Sequence, residues 1–209
     1  DLHSFPTRRS SDLRTLMSTR KGRVIFLEDV LNQSIEKTKA IIEERNPNLQ
    51  NKDEVARQVG IGAILFQELF NNRIKDYVFD WEKVLNFEGE TGPYVQYTHA
   101  RACSLLESGK YTPTEINYSL LTAKEEGDLL LSLYQFPQII VDAMGKKEPF
   151  FITRSITDIA KKFNRFYGAC PIKTSEESLK NARLGLVYAA KTVIKIGLSI
   201  LGIDAPERM

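Results

Sequence analysis

Cysteine is nearly missing: Cys103 and Cys170 are the two in 209 residues, with no C-x-x-C spacing. That argues against a disulfide scaffold or a thiolate zinc site and fits a reducing cytoplasm. Histidine is equally scarce, with His3 and His99 alone, so neither a nucleophile–base pair nor an H-E-x-x-H metal motif can be assembled. No metal site is expected. Glycine, at 12 of 209, argues against glycine-rich nucleotide loops, and no G-x-x-x-x-G-K-[ST] or strand-linked G-x-G-x-x-G occurs. No apolar run reaches the roughly 18 residues of a bilayer-spanning helix. Neither charge sign dominates: 29 Lys+Arg against 27 Asp+Glu give +2, which excludes a polybasic tail protein and a disordered acidic one. No period of about 20–50 residues repeats, so the chain is no solenoid.

What is present is enough to fold. With 42% hydrophobic and 10% aromatic residues, one large or two small domains can bury roughly 70% of the unfolded surface. Residues 1–13 stand apart. They have no helical or strand periodicity, are broken by Pro6 and Ser10-Ser11, and lack the apolar stretch of a signal peptide. They resemble a translated cloning or adapter sequence and are set aside, which implies a chain truncated at its N-terminus. A disordered natural terminus is the alternative.

From Arg14 the pattern is mostly α. A basic loop to Arg23 precedes a candidate strand, Val24–Leu27. Asp29 opens a helix that Asn46-Pro47-Asn48 stops, and a second helix runs from Asp53 to Phe70. Gly60 and Gly62 inside it each cost about 1 kcal/mol relative to Ala, unless another backbone approaches there. An aromatic connector, Asp76–Phe87, leads to the Gly89–Gly92 turn, and Pro93 starts a helix reaching about Ser108. Further helices are expected over Thr114–Leu121, Ala123–Leu133, Gln138–Gly145, Ile152–Tyr167 and Ser175–Leu201, the prolines marking joints and Ser175 capping the last.

Three segments carry candidate chemistry. Met17-Ser18-Thr19-Arg20-Lys21-Gly22-Arg23 combines hydroxyls, cations and a glycine, as a phosphate clamp needs, although a flexible basic linker has the same composition. On the Pro93 helix Tyr94, Tyr97 and Arg101 fall at i, i+3 and i+7. Two rings and a guanidinium on one face suit unpaired bases, and core-facing tyrosines with satisfied hydroxyls fit the spacing as well. His99 beside them is read as an ordinary surface or packing residue. On the last helix Lys180, Arg183, Lys191 and Lys195 share one half of the circumference, either facing an anionic partner or simply solvated.

Together these segments resemble a family. Met17–Gly22 is similar to the second signature loop of class I aminoacyl-tRNA synthetases, in the form found in arginyl-tRNA synthetases. Lys75–Asp80 and Gly89–Arg101 are similar to the stretch leading into that family's tRNA-binding helices, and Phe163–Tyr167, Ala182–Leu184 and Leu201–Met209 to its helical anticodon-binding domain. The resemblance implies a catalytic-domain remnant over 14–88 and an α-helical bundle anticodon-binding domain over 89–209. It implies ATP-dependent attachment of arginine to its tRNA through arginyl-adenylate, with magnesium accompanying ATP. Ser18, Arg20 and Lys21 take the catalytic role and Met17, Ser18, Thr19, Arg20, Lys21 and Gly22 the ATP-phosphate contacts. Tyr94, Tyr97, Arg101 and Met209 take the tRNA contacts. Leu16 and Thr19 stand where the family's loop usually carries lysine, and the family's Rossmann domain should lie upstream of Met17, so this polypeptide alone is expected not to aminoacylate. A free-standing helical module acting on RNA or protein is the rival.

Overall fold

The computed structural model describes residues 26–72, 74–75, 77–113, 115–172 and 176–209, and the backbone of 9–10 and 13–14. Among these, a short antiparallel hairpin pairs β1 (Arg9–Ser10) with β2 (Leu13–Arg14). All other regular structure is helical: α1 (Leu27–Arg45), α2 (Lys52–Phe70), the single turn α3 (Trp81–Val84), α4 (Gly92–Gly109), α5 (Lys124–Lys146), α6 (Phe150–Ala169) and α7 (Glu177–Ile200). No helix among the described residues is long and apolar enough to cross a membrane.

The expected strand Val24–Leu27 is not supported at its described end. Leu27 already begins α1, with Glu28 and Asp29 as first-turn acids favouring the positive helix end; Val24 and Ile25 lie outside the described residues. Where a helix was expected over Thr114–Leu121, only a 3-10 turn forms, Tyr118–Leu120. The Asn117 side chain explains this: its Oδ1 accepts from Ser119 N–H at 3.1 Å and from Ser119 Oγ at 2.6 Å, replacing helical bonds with a local turn. Thr114 lies outside the described residues, as does the expected cap Ser175; Glu176 occupies the cap position.

Pro137 does not divide α5, which runs through it. The proline sits on the exposed side, while Leu129, Phe136 and Ala143 are buried in the main core. Burial contributes about 1.5–3 kcal/mol for each large side chain, which offsets the roughly 3 kcal/mol of an interior proline. The expected basic stripe on α7 is also broken. Arg183 turns inward, its Nε donating to Glu126 Oε1 at 2.7 Å and its Nη1 to the Pro171 carbonyl at 2.9 Å, and Glu126 is 1% exposed.

The main core lies between α4, α5, α6 and α7, and the second half of α2 enters it through Phe66, Leu69 and Phe70. Phe66 is fully buried, whereas Phe26 is 66% exposed. A second cluster joins α1 to α2 through Ile42, Val55, Ala56 and Val59, covered by Phe87 and Met209. Gly60 permits the α1–α2 contact. A Cβ there would stand 2.9 Å from the Ile35 Cα, and its carbonyl accepts from the buried Ser34 Oγ at 2.7 Å. Gly60 thus answers to a close backbone approach, whereas Gly62 makes room for side chains, Gln96 Nε2 at 2.7 Å and Ile203 at 3.0 Å from where its Cβ would stand.

Candidate nucleic-acid interface

α4 starts as its sequence demands. Thr91 Oγ1 accepts from Tyr94 N–H at 3.2 Å, and Pro93 occupies the first turn, where no N–H is needed. The following turns carry Tyr94, Tyr97 and Arg101 on one face about 60° wide, which reaches two environments. Tyr97 is exposed and lines a cleft of about 1170 Å³ with Arg101, Lys195, Asp204 and Met209. Tyr94 is half-buried against the main core.

The two tyrosines are joined through α6. Asn164 Oδ1 accepts from Arg101 Nη1 at 2.5 Å, and its Nδ2 donates to the Tyr94 hydroxyl at 3.0 Å and to Thr98 Oγ1 at 3.2 Å. One amide thus fixes a guanidinium and a phenol. The Arg101 guanidinium lies 4.9 Å from the Tyr97 ring centre and 5.6 Å from that of Tyr167. Tyr97 meets Phe87 edge to face at 6.5 Å, and the Arg45 guanidinium lies 5.4 Å from the Phe87 ring centre. The result is a ladder of two cations and three rings, Arg45–Phe87–Tyr97–Arg101–Tyr167, crossing α1, the connector, α4 and α6. Such a surface offers ring faces to bases and charge to phosphates. Sequence spacing found two of its five members. The others come from separate elements, and no local periodicity announces them.

The C-terminal segment completes the cleft. Gln96, fully buried, donates from Nε2 to the Asp204 carbonyl at 2.8 Å and to the Gln58 carbonyl at 3.2 Å. His99 Nδ1 pairs with the Pro206 carbonyl at 3.0 Å, and Asn46 Nδ2 donates to the Met209 main-chain oxygen at 3.3 Å. His99 is fully buried and a packing group. Burial pushes its pKa below the usual histidine range, partly opposed by the Pro206 bond and reinforced by Lys191 and Lys195. Burial likewise raises the Cys103 and Cys170 thiols, both free. Among the described residues no group of three or more His, Cys, Asp or Glu side chains could hold a metal ion.

Comparison with known proteins places this arrangement. The DALR anticodon binding domain matches residues 95–209, more than half the chain, and the catalytic domain of class I (R) tRNA synthetases matches residues 10–81. An arginine–tRNA ligase of Halothermothrix orenii is 55% identical over 194 residues, covering 92% of this chain and 34% of that protein. One from Clostridioides difficile is 52% identical over 194 residues, again 92% of this chain and 34% of the relative. The chain belongs to the arginyl-tRNA synthetase family. It spans about a third of the length of these relatives. The solved Thermus thermophilus arginyl-tRNA synthetase superposes with a TM-score of 0.84 at 35% identity, over 89% of this chain and 32% of that one. The Plasmodium falciparum arginyl-tRNA synthetase, at 23% identity and a TM-score of 0.76 over 89% of this chain and 34% of that one, shares the fold.

Within the family frame, Arg45 falls in the catalytic-domain match and Tyr97, Arg101, Tyr167 and Met209 in the DALR match. The ladder therefore bridges the two matched regions. The signature-like loop Met17-Ser18-Thr19-Arg20-Lys21-Gly22 lies outside the described residues.

Proposed function

We propose that this chain is the tRNA-binding part of an arginine–tRNA ligase, holding anticodon-loop nucleotides on the Arg45–Tyr167 ladder. The whole protein attaches arginine to its tRNA in the cytoplasm, using ATP with magnesium and passing through arginyl-adenylate. Residues 14–88 belong to its catalytic domain and 89–209 to its anticodon-binding domain. The observation that carries this is the ladder itself, in a chain of the arginyl-tRNA synthetase family.

Tyr97 and Tyr167 offer ring faces for stacking. Arg101 commits Nη1 to Asn164 and makes a long Nη2 bond to the Tyr97 hydroxyl at 3.5 Å, and presents its other N–H groups to a base edge or phosphate. Tyr94 accepts from Asn164 at its hydroxyl, leaving its own O–H to donate. Met209 supplies an apolar wall. Met17, Ser18, Thr19, Arg20, Lys21 and Gly22 serve the ATP phosphates, with Ser18, Arg20 and Lys21 acting in adenylation.

Titrating the arginine tRNA anticodon stem–loop with the purified chain tests the assignment. Stacking is worth about 1–3 kcal/mol per base, so Tyr97→Ala is expected to weaken binding by roughly 5- to 150-fold. Affinity unchanged by both Tyr97→Ala and Arg101→Ala would remove the ladder from the interface.

A further inference from the structure

The cations that sequence spacing singled out lie on α7, yet a more open basic surface is on α6. That helix carries Arg154, Lys161, Lys162 and Arg165 against one acid, Asp158. At 100° per residue, Arg154, Lys161 and Arg165 fall within about 40° of one another, and they span about 16 Å along the axis. Arg154 and Arg165 are exposed and Lys161 half-exposed.

Their surroundings differ from an ordinary solvated face. The Arg154 guanidinium lies 4.8 Å from the Phe150 ring centre and 5.7 Å from that of Phe70. Two rings hold its plane while no described carboxylate pairs with it. It borders a cavity of about 290 Å³ lined by Phe70, Glu90, Arg154, Thr157, Asp158 and Lys161. The acids there are already occupied: Asp158 by Lys162 at 2.7 Å and Glu90 by Lys161 at 2.6 Å. The Lys161–Glu90 pair is 39% and 53% exposed. Exposed pairs contribute only about 0–1 kcal/mol, so a phosphate can take the place of Glu90. Arg165 has no ion pair with a described residue. It follows Asn164, whose amide anchors Arg101, so the basic face begins beside the ladder and leads away from it.

We propose that the outward face of α6, through Arg154, Lys161 and Arg165, binds the phosphodiester backbone of the RNA whose bases occupy the ladder. This rests on the tRNA-binding function proposed above and extends its footprint. The contacts neutralise phosphate charge and position the RNA without reading its sequence. With a net charge of only +2 on the chain, such local concentration has to supply the electrostatic part of the affinity.

The test is the salt dependence of binding to the arginine tRNA anticodon stem–loop, measured between 50 and 300 mM salt. Each lost phosphate contact makes the slope of log K against log salt shallower by about 0.7–0.9. Arg154→Gln/Lys161→Gln/Arg165→Gln is expected to flatten the slope by about 2.1–2.7 and to weaken binding at 100 mM salt by roughly 10- to 100-fold. The charge-conserving Arg154→Lys/Lys161→Arg/Arg165→Lys is expected to keep the slope. Arg165→Gln alone, an exposed change that the fold tolerates, is expected to flatten it by about 0.7–0.9. Tyr97→Ala is expected to lower affinity at constant slope. Slopes unchanged in Arg165→Gln and in the folded glutamine triple overturn the α6 assignment while leaving the ladder standing; an acidic protein partner for this face gives that result. A flattened slope in the charge-conserving triple overturns it too, since charge is then not the cause. No binding by the unsubstituted chain overturns the tRNA-binding function itself.

Discussion

Replacing Asn164 with alanine separates positioning from packing at the ladder. Its amide orientation is set by its partners: a flipped amide would aim N–H groups at the Arg101 guanidinium, so the oxygen faces the cation. Thr98 Oγ1 donates to the Tyr94 carbonyl at 2.9 Å and so offers Asn164 a lone pair. The substitution removes one charge-assisted bond, worth about 1.5–3 kcal/mol, and two neutral ones of about 1 kcal/mol each. Arg101 and Tyr94 are half-exposed and Thr98 keeps its carbonyl partner, so water recovers much of this. A net destabilisation of about 2 kcal/mol follows, or roughly 4–8 °C in melting temperature. For RNA the consequence is different. The rings of Tyr97 and Tyr167 still hold the guanidinium plane, but its rotation in that plane is then restrained only by the long Nη2 bond to the Tyr97 hydroxyl at 3.5 Å. Restoring that order on binding costs about 0.5–1.5 kcal/mol, so affinity for the anticodon stem–loop should fall roughly 2- to 13-fold. The decisive measurement is a double-mutant cycle with Arg101→Ala. If Asn164 acts through Arg101, its replacement has no further effect on affinity in the Arg101→Ala background. Equal losses in both backgrounds would refute the positioning role and leave Asn164 a structural link between α4 and α6.

Two predictions concern the scaffold. Gly60→Ala and Gly127→Ala should move urea stability in opposite directions. Both gain about 1 kcal/mol of helix propensity, but the Gly60 Cβ meets the α1 backbone at 2.9 Å while nothing stands within 4 Å of Gly127. With overpacking costing about 1–3 kcal/mol, Gly60→Ala is expected to destabilise by up to about 2 kcal/mol, and the same sign for both variants would be the contrary result. His99 should make stability pH-dependent. Its folded pKa lies below the unfolded value of 6.5, so its contribution is complete above pH 6.5 and declines as pH falls toward the folded value, where only the unfolded chain takes the proton. Urea midpoints at pH 7.5, 6.5 and 5.5 should fall more steeply for the unsubstituted chain than for His99→Gln; parallel curves would show that another group governs the acid limb.

The sequence made legible what depends on local chemistry. The Gly89–Gly92 turn and Pro93 announce the start of α4, Pro47 and Asn48 the end of α1, and the ordered motifs the family. Features decided by tertiary partners were not legible. Pro137 looks like a helix joint until Phe136 and Ala143 are seen buried against the core. Arg183 looks like part of a solvent-facing stripe until Glu126 is found beneath it. Periodicity put Tyr94, Tyr97 and Arg101 on one face, but a face about 60° wide reaches two environments, α6 on one side and the cleft on the other. Arg45, Phe87 and Tyr167 enter the ladder from three elements more than a hundred positions apart at the extremes, a relation that no window of sequence contains.

Residues 82–94, between the two matched regions, are not a mechanical boundary. A Cβ on Gly92 would stand 2.9 Å from the Gly62 carbonyl, and one on Gly62 would stand 2.7 Å from Gln96 Nε2. At this crossing the Gln96 amide bonds α2 and the C-terminal segment together. Thr153 Oγ1 of α6 adds a bond to the Leu69 carbonyl at the end of α2, at 3.3 Å. Rotating α2 against α4 would break the Gln96 bonds and carry α1 away with α2, because the two pack through Gly60. Arg45 and Phe87 would then separate from Tyr97, while Tyr97, Arg101 and Tyr167 would stay together on α4 and α6. The ladder is complete only while the α2–α4 crossing is closed, which makes the proposed RNA-binding surface dependent on how the region resembling the catalytic domain is seated.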